Sequence, residues 1–264
     1  MIKLGILGVG KMGGAILSGI IKAGLYKKED ILLCDSYAPS VENLKTQGYN
    51  ATTNAEELFD NCQILLLSIK PQSFEEALVK AKEKDFEGRC VLSIAAGLST
   101  TYIQTFFKNA LIVRAMPNTP AQINMGVTSL CSKDTKNEYF AKCKQIFEAI
   151  GKCYETTEDK MDYTLPLNGS MPAYLYAFAN EFIKCAQKEG IDKQTAKELT
   201  AHSIIASAHM ILNATEDIET LIQNVCSKGG TTIAGLNKMY DAGFEKAIKD
   251  CYDACAQRSK ELNK

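Results

Sequence analysis

Residues 2–13, with the sequence IKLGILGVGKMG, decide the fold of this chain. The apolar run Ile2–Leu7 has the length and the residue types of a buried strand. A Gly-x-Gly-x-x-Gly motif follows it directly, and a helical pattern then runs over residues 15–23 before Gly24, a typical helix C-cap. This order of strand, glycine loop and helix predicts a dinucleotide site at the start of a parallel sheet.

Each glycine of the motif has a separate physical role. Gly8 permits the tight turn after the strand, Gly10 lets the backbone come close to a pyrophosphate, and Gly13 allows the helix to pack closely on the strand. The helix that starts near Lys11 presents free N–H groups and the positive end of its dipole to the phosphates. The motif alone is weak evidence, so its context carries the prediction. The predicted loop residues are Gly8, Gly10, Lys11, Met12 and Gly13.

Up to about residue 155, short apolar runs alternate with helical patterns. Such alternation is typical of βαβ units, and it predicts an α/β fold with an N-terminal Rossmann-like, doubly wound and mostly parallel sheet. We therefore place a dinucleotide-binding domain at residues 1–158. The predicted strands are Ile2–Leu7, Ile31–Cys34, Ile64–Ser68, Cys90–Ile94, Ala110–Val113, Val127–Cys131 and Cys153–Glu155.

Helical patterns replace the strand pattern beyond about Asp159, which predicts an all-α domain over residues 159–264. The segment Pro172–Lys188 is apolar on most of its faces, and a domain of about 100 residues has little interior in which to bury such a helix. We therefore expect self-association through this domain, as a homodimer or a higher homo-oligomer. The other predicted helices are Asp192–Asn213, Ile218–Val225, Ile233–Tyr240 and Phe244–Leu262.

The composition is that of an ordinary globular protein, since 46% of the 264 residues are hydrophobic and 23% are charged. A formal net charge of -1 gives no reason to expect nucleic acid or an acidic membrane as a partner, and the apolar runs are too short for a transmembrane helix. The ten cysteines include no Cys-x-x-Cys pair, which favours reduced thiols and a cytoplasmic location. Because the chain opens on a strand, we expect no cleaved secretory signal.

Asp35 is the residue from which we predict the choice of cofactor. It follows the second predicted strand, Ile31–Cys34, and no arginine occurs in residues 36–40. A carboxylate at this place accepts hydrogen bonds from the ribose hydroxyls of adenosine and repels a 2′-phosphate. Asp35 therefore slightly favours NADH over NADPH, with an aspartate that only forms a turn as the alternative.

Five further strings are SIKP at 68–71, SIAAG at 93–97, RAMPNTPA at 114–121, GSMPAY at 169–174 and GGTTIAGL at 229–236. With GVGKMG at 8–13, they resemble the pyrroline-5-carboxylate reductase family over essentially the whole chain. The resemblance implies hydride transfer from NADH or NADPH to the ring imine carbon of 1-pyrroline-5-carboxylate, which gives L-proline in the last step of proline biosynthesis. It also implies a Rossmann domain, a helical domain that dimerises, and an active site near the domain boundary and across the dimer.

The resemblance implies several cofactor contacts. Ser68, Lys70 and Pro71 would lie along the cofactor ribose, with a solvated lysine as the alternative for Lys70. Asn54 resembles a residue that touches the adenosine ribose, or else it only caps the next helix. A small turn formed by Ala95, Ala96 and Gly97 would lie under the nicotinamide. A loop formed by Met116, Pro117 and Asn118 would wall the nicotinamide and the reacting carbon.

The resemblance places the substrate at the string SKGGTT, residues 227–232. Glycines that lead into a helix N-terminus form a pocket of backbone N–H groups suited to a carboxylate. Thr232 matches the family threonine whose hydroxyl approaches the imine nitrogen, although a threonine at a helix start is more often only a cap. The implied substrate contacts are Ser227, Gly229, Gly230, Thr231 and Thr232, with Thr232 as the catalytic residue.

This chemistry needs few side chains. Because an iminium carbon accepts hydride readily, the task is to hold the nicotinamide against that carbon and to exclude water, without a metal, a nucleophile or a strong base. Thr232 would orient the nitrogen, and the proton would come from solvent or from a substrate that binds already protonated. His202 and His209 lie on one apolar helix and are interpreted as packing residues.

Two positions depart from the family pattern. Lys228 stands where proline is usual, and Met171 stands where a glycine or another small residue is usual, in NGSMPAY at 168–174 against SGSGPAY. Either change could alter the ring that is accepted, so a reductase of six-membered cyclic imines remains open. A β-hydroxyacid dehydrogenase would need an earlier lysine than Lys184 in the helix from Pro172. A nucleotide-sensing protein would have no reason to keep the Thr232 loop.

Overall fold

The computed structural model describes residues 2–262, so the outermost residues of the two predicted domains, 1 and 263–264, lie outside it. The chain divides into two compact units. The first contains the residues up to Pro172 together with those from Cys255 onward, and the second contains Ala173–Ala254. Among residues 2–262, no helix combines the length and the apolar character that crossing a membrane requires.

A single sheet lies at the centre of the first unit. Its strands are β1 (Ile2–Leu7), β2 (Ile31–Cys34), β3 (Asn50–Thr52), β4 (Cys62–Leu67), β5 (Cys90–Ser93), β6 (Leu111–Met116), β7 (Gly126–Ser132) and β8 (Gly151–Glu155). The strand order is β3-β2-β1-β4-β5-β6-β7-β8, and all neighbours are parallel except β6 and β7. The order reverses between β1 and β4, and in such sheets the crevice at this switch point binds the ligand.

Helices of the first unit connect the strands and cover two apolar layers. They are α1 (Lys11–Lys22), α2 (Ala38–Thr46), α3 (Ala55–Asn61), α4 (Phe74–Leu78), α5 (Thr100–Gln104), α6 (Glu138–Glu148) and α7 (Glu158–Thr164). Successive side chains of a strand point to opposite faces. Accordingly, Ile6 belongs to one buried cluster, with α1 and α6, whereas Leu7 belongs to the other, with α3 and α4.

Five further helices follow: α8 (Met171–Lys188), α9 (Lys193–Asn213), α10 (Ile218–Val225), α11 (Thr231–Asp241) and α12 (Phe244–Leu262). Within residues 173–254, Ala196 is the only buried residue. Large apolar side chains of this unit are exposed instead, among them Tyr176, Phe182, Leu199, Met210, Leu212 and Val225. A surface of this kind marks a site of protein–protein contact.

The predicted fold class is confirmed, and the differences are local. The pattern did not predict β3, a short edge strand without an apolar run, or α7. The predicted start of the helix Ile233–Tyr240 was wrong, because this helix, α11, begins at Thr231 and has Gly230 as its N-cap. The first unit extends past the boundary predicted between residues 158 and 159, and that domain division stays a prediction. His202 and His209 are exposed, so they do not pack within one chain.

Candidate active site

The loop between β1 and α1 requires glycine at two positions. Gly8 has a φ of +90°, and a Cβ atom there would lie 2.7 Å from the carbonyl oxygen of Ser68. A Cβ atom at Gly13 would lie 2.2 Å from the carbonyl oxygen of Gly8. At Gly10, by contrast, no atom of the described part of the chain lies within 4 Å of the place that a Cβ atom would occupy. The backbone at Gly10 is therefore open to a ligand, as its predicted place beside a pyrophosphate requires.

A cavity of about 640 Å³ opens beside this loop, a volume typical of cofactor sites. The adjacent helix α1 begins at Lys11, which is exposed, while Met12 packs against the core. Among the side chains that the structure describes, none caps α1, and its first turn contains no acidic residue, so its N–H groups remain for an anion. The residues present thus fit a dinucleotide pyrophosphate. The predicted cofactor residues in the cavity wall are Gly8, Gly10, Asp35, Ser68 and Lys70.

Asp35 connects the glycine loop to the turn that follows β2. Its Oδ2 accepts a hydrogen bond of 3.0 Å from the N–H of Val9, and its Oδ1 accepts one of 3.0 Å from the N–H of Tyr37. An ionised carboxylate has about four acceptor positions, so about two remain for ribose hydroxyls. Asp35 thus also stabilises a turn, as the alternative interpretation predicted, and it still lines the cavity.

The segment after β4 forms another part of the wall. The N–H of Ser68 donates to the carbonyl oxygen of Leu7 at 2.8 Å, which continues the pairing of β4 with β1 by one residue. Lys70 is exposed and lines the cavity, and Pro71 begins a short 3₁₀ turn directly after it. The position of Lys70 supports its predicted contact with a cofactor phosphate or ribose.

Asn54 is the N-cap of α3, as the alternative interpretation predicted. Its side-chain oxygen accepts a hydrogen bond of 3.1 Å from the N–H of Glu56. The residues on either side, Thr53 and Ala55, line the cavity. Its contact with the adenosine ribose stays a prediction, and a ribose hydroxyl would have to share the amide with the cap.

The turn after β5 is narrow and is supported by the end of α12. Ala95 is buried and Ala96 is exposed. Gly97 has a φ of +71°, and a Cβ atom there would lie 2.9 Å from the Cβ of Leu262. Any side chain at residue 97 would therefore push this turn away from α12. Only a methyl group faces outward from the turn, which suits its predicted place under a flat nicotinamide ring.

The turn after β6 is held by the side chain of Asn118. Met116, the last residue of β6, is buried, and Pro117 is half-buried. The Asn118 amide nitrogen donates to the carbonyl oxygen of Asn168 at 3.0 Å, and its oxygen accepts from the N–H of Val127 at 2.8 Å. Both ends of the amide are thus occupied within the protein. Asn118 shapes the predicted nicotinamide wall, and its contact with the cofactor stays a prediction.

Asn168 completes the same network, and sequence reasoning did not single it out. Its side chain is 4% exposed, and its amide nitrogen donates to the carbonyl oxygen of Met116 at 2.8 Å and to Ser129 Oγ at 3.1 Å. Its amide oxygen accepts from the N–H of Gly169 at 2.6 Å. The available signal was the asparagine in NGSMPAY, where the family pattern has serine.

Arg114, the first residue of RAMPNTPA, is also a structural residue that sequence reasoning left without a role. Its side chain is 1% exposed and contacts two carboxylates, with 2.7 Å from Nη1 to Glu158 Oε1 and 3.8 Å from Nη2 to Asp162 Oδ1. Ser259, on α12, donates to Asp162 Oδ1 at 2.6 Å. Burial, together with the charge of Glu158, raises the pKa of the neighbouring Cys131 thiol to about 12. This cluster joins β6, α7 and α12.

The predicted substrate residues lie in the second unit. Gly229 has a φ of +71°, and Gly230 is the N-cap of α11, without a side-chain cap. Thr232 is the second residue of the helix and is exposed. The alternative that Thr232 is only a helix cap is therefore wrong, and its hydroxyl and the first N–H groups of α11 remain for a ligand.

Thr232 also lines an apolar groove of about 380 Å³ within this unit. The groove lies between α9, α10 and the first turns of α11. Its other lining residues are Ser207, Met210, Ile211, Ile218, Leu221, Ile222, Asn224, Val225 and Leu236. Thr232 therefore lies next to the exposed apolar surface through which we expect the chain to self-associate.

Two family models match the chain. The model described as pyrroline-5-carboxylate reductase dimerisation matches residues 158–262, and the model described as NADP oxidoreductase, coenzyme F420-dependent, matches residues 3–97. The second match contains the glycine loop, Asp35 and the turn at residues 95–97. The first contains the helices with the exposed apolar side chains.

Curated relatives match over nearly the whole chain. The chain is 34% identical to pyrroline-5-carboxylate reductase 2 of Bacillus subtilis, over 99% of this chain and 95% of the relative. It is 32% identical to the pyrroline-5-carboxylate reductase of Methanosarcina acetivorans, over 99% of this chain and 98% of the relative. The shared length includes both the glycine loop and the Thr232 loop.

A solved structure agrees with this similarity. The pyrroline carboxylate reductase of Plasmodium falciparum, with NADP bound, superposes with a TM-score of 0.88 at 28% identity, over 100% of this chain and 98% of that one. The fold, the open glycine cradle and the full-length similarity to named relatives lead to one conclusion. The chain belongs to the pyrroline-5-carboxylate reductase family.

Proposed function

We propose that this chain reduces 1-pyrroline-5-carboxylate to L-proline with NADH or NADPH. The single observation that carries the proposal is the cavity at the carboxyl ends of the central strands, with the glycine cradle and Asp35 in its wall, in a chain that matches reductases from end to end. When bound, NAD(P)H would supply a hydride to the ring carbon of the C=N bond and become NAD(P)⁺. The reduction also consumes one proton at the ring nitrogen, taken from solvent or brought by a substrate that binds already protonated.

In this proposal, the first unit holds the cofactor. Gly8, Gly10 and the first turn of α1 bind the pyrophosphate, and Ser68, Lys70 and Pro71 lie along the ribose. The turn at residues 95–97 supports the nicotinamide from one side. The segment 116–118 walls the ring and keeps water from the reacting carbon.

The Thr232 loop holds the substrate. The N–H groups at the start of α11 bind the substrate carboxylate, because the positive end of a helix dipole favours an anion. The Thr232 hydroxyl hydrogen-bonds the ring nitrogen and fixes the orientation of the C=N bond. The predicted binding set is Ser227, Gly229, Gly230, Thr231 and Thr232.

Asp35 makes NADH the slightly preferred cofactor in our proposal. Its two backbone hydrogen bonds fix the carboxylate in the cavity wall, where its charge would repel a 2′-phosphate. Lys70, in the same wall, has the opposite charge and weakens this preference. The balance of these two side chains sets the size of the effect.

We also propose a homodimer or a higher homo-oligomer, assembled through the helical region from residue 159 onward. The exposed apolar side chains of α8, α9 and α10 support it, because within residues 173–254 they have no core to enter. A cytoplasmic location is supported by the cysteines, all ten of which are free thiols.

The test is turnover of 1-pyrroline-5-carboxylate by the purified protein, with NADH and NADPH in parallel and L-proline measured as the product. We expect stoichiometric loss of NAD(P)H and gain of proline. Folded protein that binds NAD(P)H but forms no proline would refute the proposal. A six-membered cyclic imine carboxylate, assayed beside it, would then show whether Met171 and Lys228 have changed the ring that is accepted.

A further inference from the structure

We propose that Asn168 is a positioning residue for hydride transfer, because it fixes the turn Met116–Pro117–Asn118. The inference rests on the proposed function, in which this turn walls the nicotinamide. Asn168 itself is buried beside the turn, and it donates to main-chain and side-chain oxygens of the protein.

The contacts of Asn168 enclose the turn from both ends. Its side-chain nitrogen donates to the carbonyl oxygen of Met116, at the start of the turn. Its main-chain oxygen accepts from the side chain of Asn118, at the end of the turn. Between them lies Pro117, which has no N–H group to anchor the segment. The two asparagines therefore supply the hydrogen bonds that the backbone of the turn cannot make.

The same contacts connect the turn to the neighbouring strand. Met116 lies opposite Ser129 in the antiparallel pair of β6 and β7, and the Asn168 amide donates to both residues. The Asn118 oxygen accepts from Val127, also on β7. The turn is thus fixed to β7 at two places, through two buried side chains.

An amide is the side chain that this arrangement needs. Its nitrogen offers two N–H donors, one for Met116 and one for Ser129, and its oxygen accepts from Gly169. A serine has one O–H donor and a shorter reach, so it could serve only one of the two acceptors. An aspartate has the same shape without the donors, and it would turn a carboxylate toward the Met116 carbonyl.

These differences define a series of variants. Asn168→Asp should shift the turn most, Asn168→Ala should release it, and Asn168→Ser should keep one donor and lose less. A displacement of about 1 Å at a reacting centre costs about 10²-fold in rate. We therefore expect kcat to fall by about 10- to 100-fold in the aspartate and alanine variants, and by less in the serine variant.

Asn137→Ala provides a matched control. The Asn137 side chain caps α6 by accepting from the N–H of Tyr139 at 3.0 Å, so its loss also removes an amide hydrogen bond of the first unit. Asn137 comes shortly after Ser132, the last residue of β7. Ser132 pairs with Val113 of β6, three residues before Met116, so Asn137 follows the end of β7 that is away from the Met116 turn. This variant should lose stability and keep its kcat.

The experiment measures kcat, the KM for 1-pyrroline-5-carboxylate and the deuterium isotope effect with NAD(P)H labelled at the transferred position, at equal folded fractions. A lower kcat with a larger isotope effect and a nearly constant KM in the Asn168 variants supports positioning. A kcat equal to that of Asn137→Ala refutes the inference alone. A wild-type protein without turnover refutes the proposed function, and the inference with it.

Discussion

The guanidinium of Arg114 and the carboxylate of Glu158 lie 2.7 Å apart, at the junction of the central sheet with α7. Arg114 is almost completely buried, and within residues 2–262 its Nε and Nη2 atoms have no hydrogen-bond partner. Glu158 therefore provides the strongest contact of a charge that is largely removed from water. A buried charge that loses its partner is strongly destabilising.

We expect Glu158→Gln to lower the free energy of unfolding by about 2 kcal/mol, because it removes the negative charge that pairs with a buried guanidinium and leaves only a weaker, neutral acceptor. Urea titration of the two proteins gives this difference. Glu138→Gln is the control, since Glu138 pairs with Lys142 on the surface at 2.8 Å and should contribute less than about 1 kcal/mol. Equal effects of the two substitutions would contradict the prediction.

We expect Asp35→Asn to move the cofactor preference toward NADPH. The amide keeps one acceptor for the backbone donors of Val9 and Tyr37, and it removes the charge that repels a 2′-phosphate. The ratio of kcat/KM for NADPH to that for NADH should rise about tenfold, which corresponds to about 1.4 kcal/mol. Asp134→Asn is the control, because Asp134 also accepts from a backbone N–H in an exposed turn. An unchanged ratio in the Asp35 variant would remove Asp35 from the cofactor site.

Thr232→Val should lower kcat by about 10²-fold or less, since one oriented hydrogen bond is lost. Stability should stay nearly constant, because Thr232 is exposed and the N-cap of α11 is Gly230. Steady-state kinetics and a thermal melt separate the two effects. Thr195→Val, in the exposed first turn of α9, is the matched control and should keep wild-type kinetics. Wild-type kcat in the Thr232 variant would remove the hydroxyl from the mechanism.

The buried thiols predict a loss of stability in alkali. Burial raises the pKa of Cys62 from an ordinary value of 9.0 to about 12, with Arg89 opposing the shift, and burial also raises the pKa of Cys131 to about 12. Above pH 9, the unfolded chain releases protons that the folded chain keeps, so folding becomes less favourable as the pH rises. Each such thiol adds about 1.4 kcal/mol per pH unit to the decline.

Urea titrations at pH 8, 9 and 10 measure this decline. Cys62→Ala should make it shallower by about 1 kcal/mol between pH 9 and 10, because the unfolded thiol is only partly ionised at the lower end of this range. Cys185→Ala, at an exposed cysteine of α8, should leave the slope unchanged. The same slope in both variants would show that the Cys62 thiol does not contribute to the pH dependence.

Phe182→Glu should weaken self-association. Phe182 is 52% exposed, and its ring lies 4.8 Å from that of Phe178, so the pair forms an exposed apolar surface on α8. A charge in a desolvated interface is costly without a partner. Light scattering after gel filtration should show a lower mass than that of the wild type at the same concentration. Tyr154→Glu, at an exposed aromatic side chain of β8, should keep the wild-type mass.

Local patterns predicted the parts of the fold that depend on local sequence. β2 and α10 have the predicted bounds, because an apolar run or an amphipathic pattern continues up to a clear stop. β3 escaped prediction because its pairing with β2 stabilises a segment, Asn50–Thr52, that has little strand character of its own. Such tertiary stabilisation leaves no signal in the segment itself.

In the candidate site, too, some residues could be predicted from the local sequence and others could not. The glycine loop was predictable, because Gly8 and Gly13 meet steric requirements that a side chain would violate, and the open backbone at Gly10 suits a ligand. The roles of Asn118 and Asn168 were not, because they depend on hydrogen bonds between residues 50 positions apart. Similarly, nothing in the string RAMPNTPA reveals that Arg114 is buried against α7.

The contacts of Gly97 with Leu262 and of Asp162 with Ser259 have a consequence for the synthesis of the protein. A ribosome releases the chain from its amino end, so the sheet and its glycine cradle emerge long before α12. The last support of the turn at residues 95–97 becomes available only after α12 has been made. Until then, the turn lacks the support of Leu262, so this part of the first unit takes its final form later than the glycine loop near the start of the sheet.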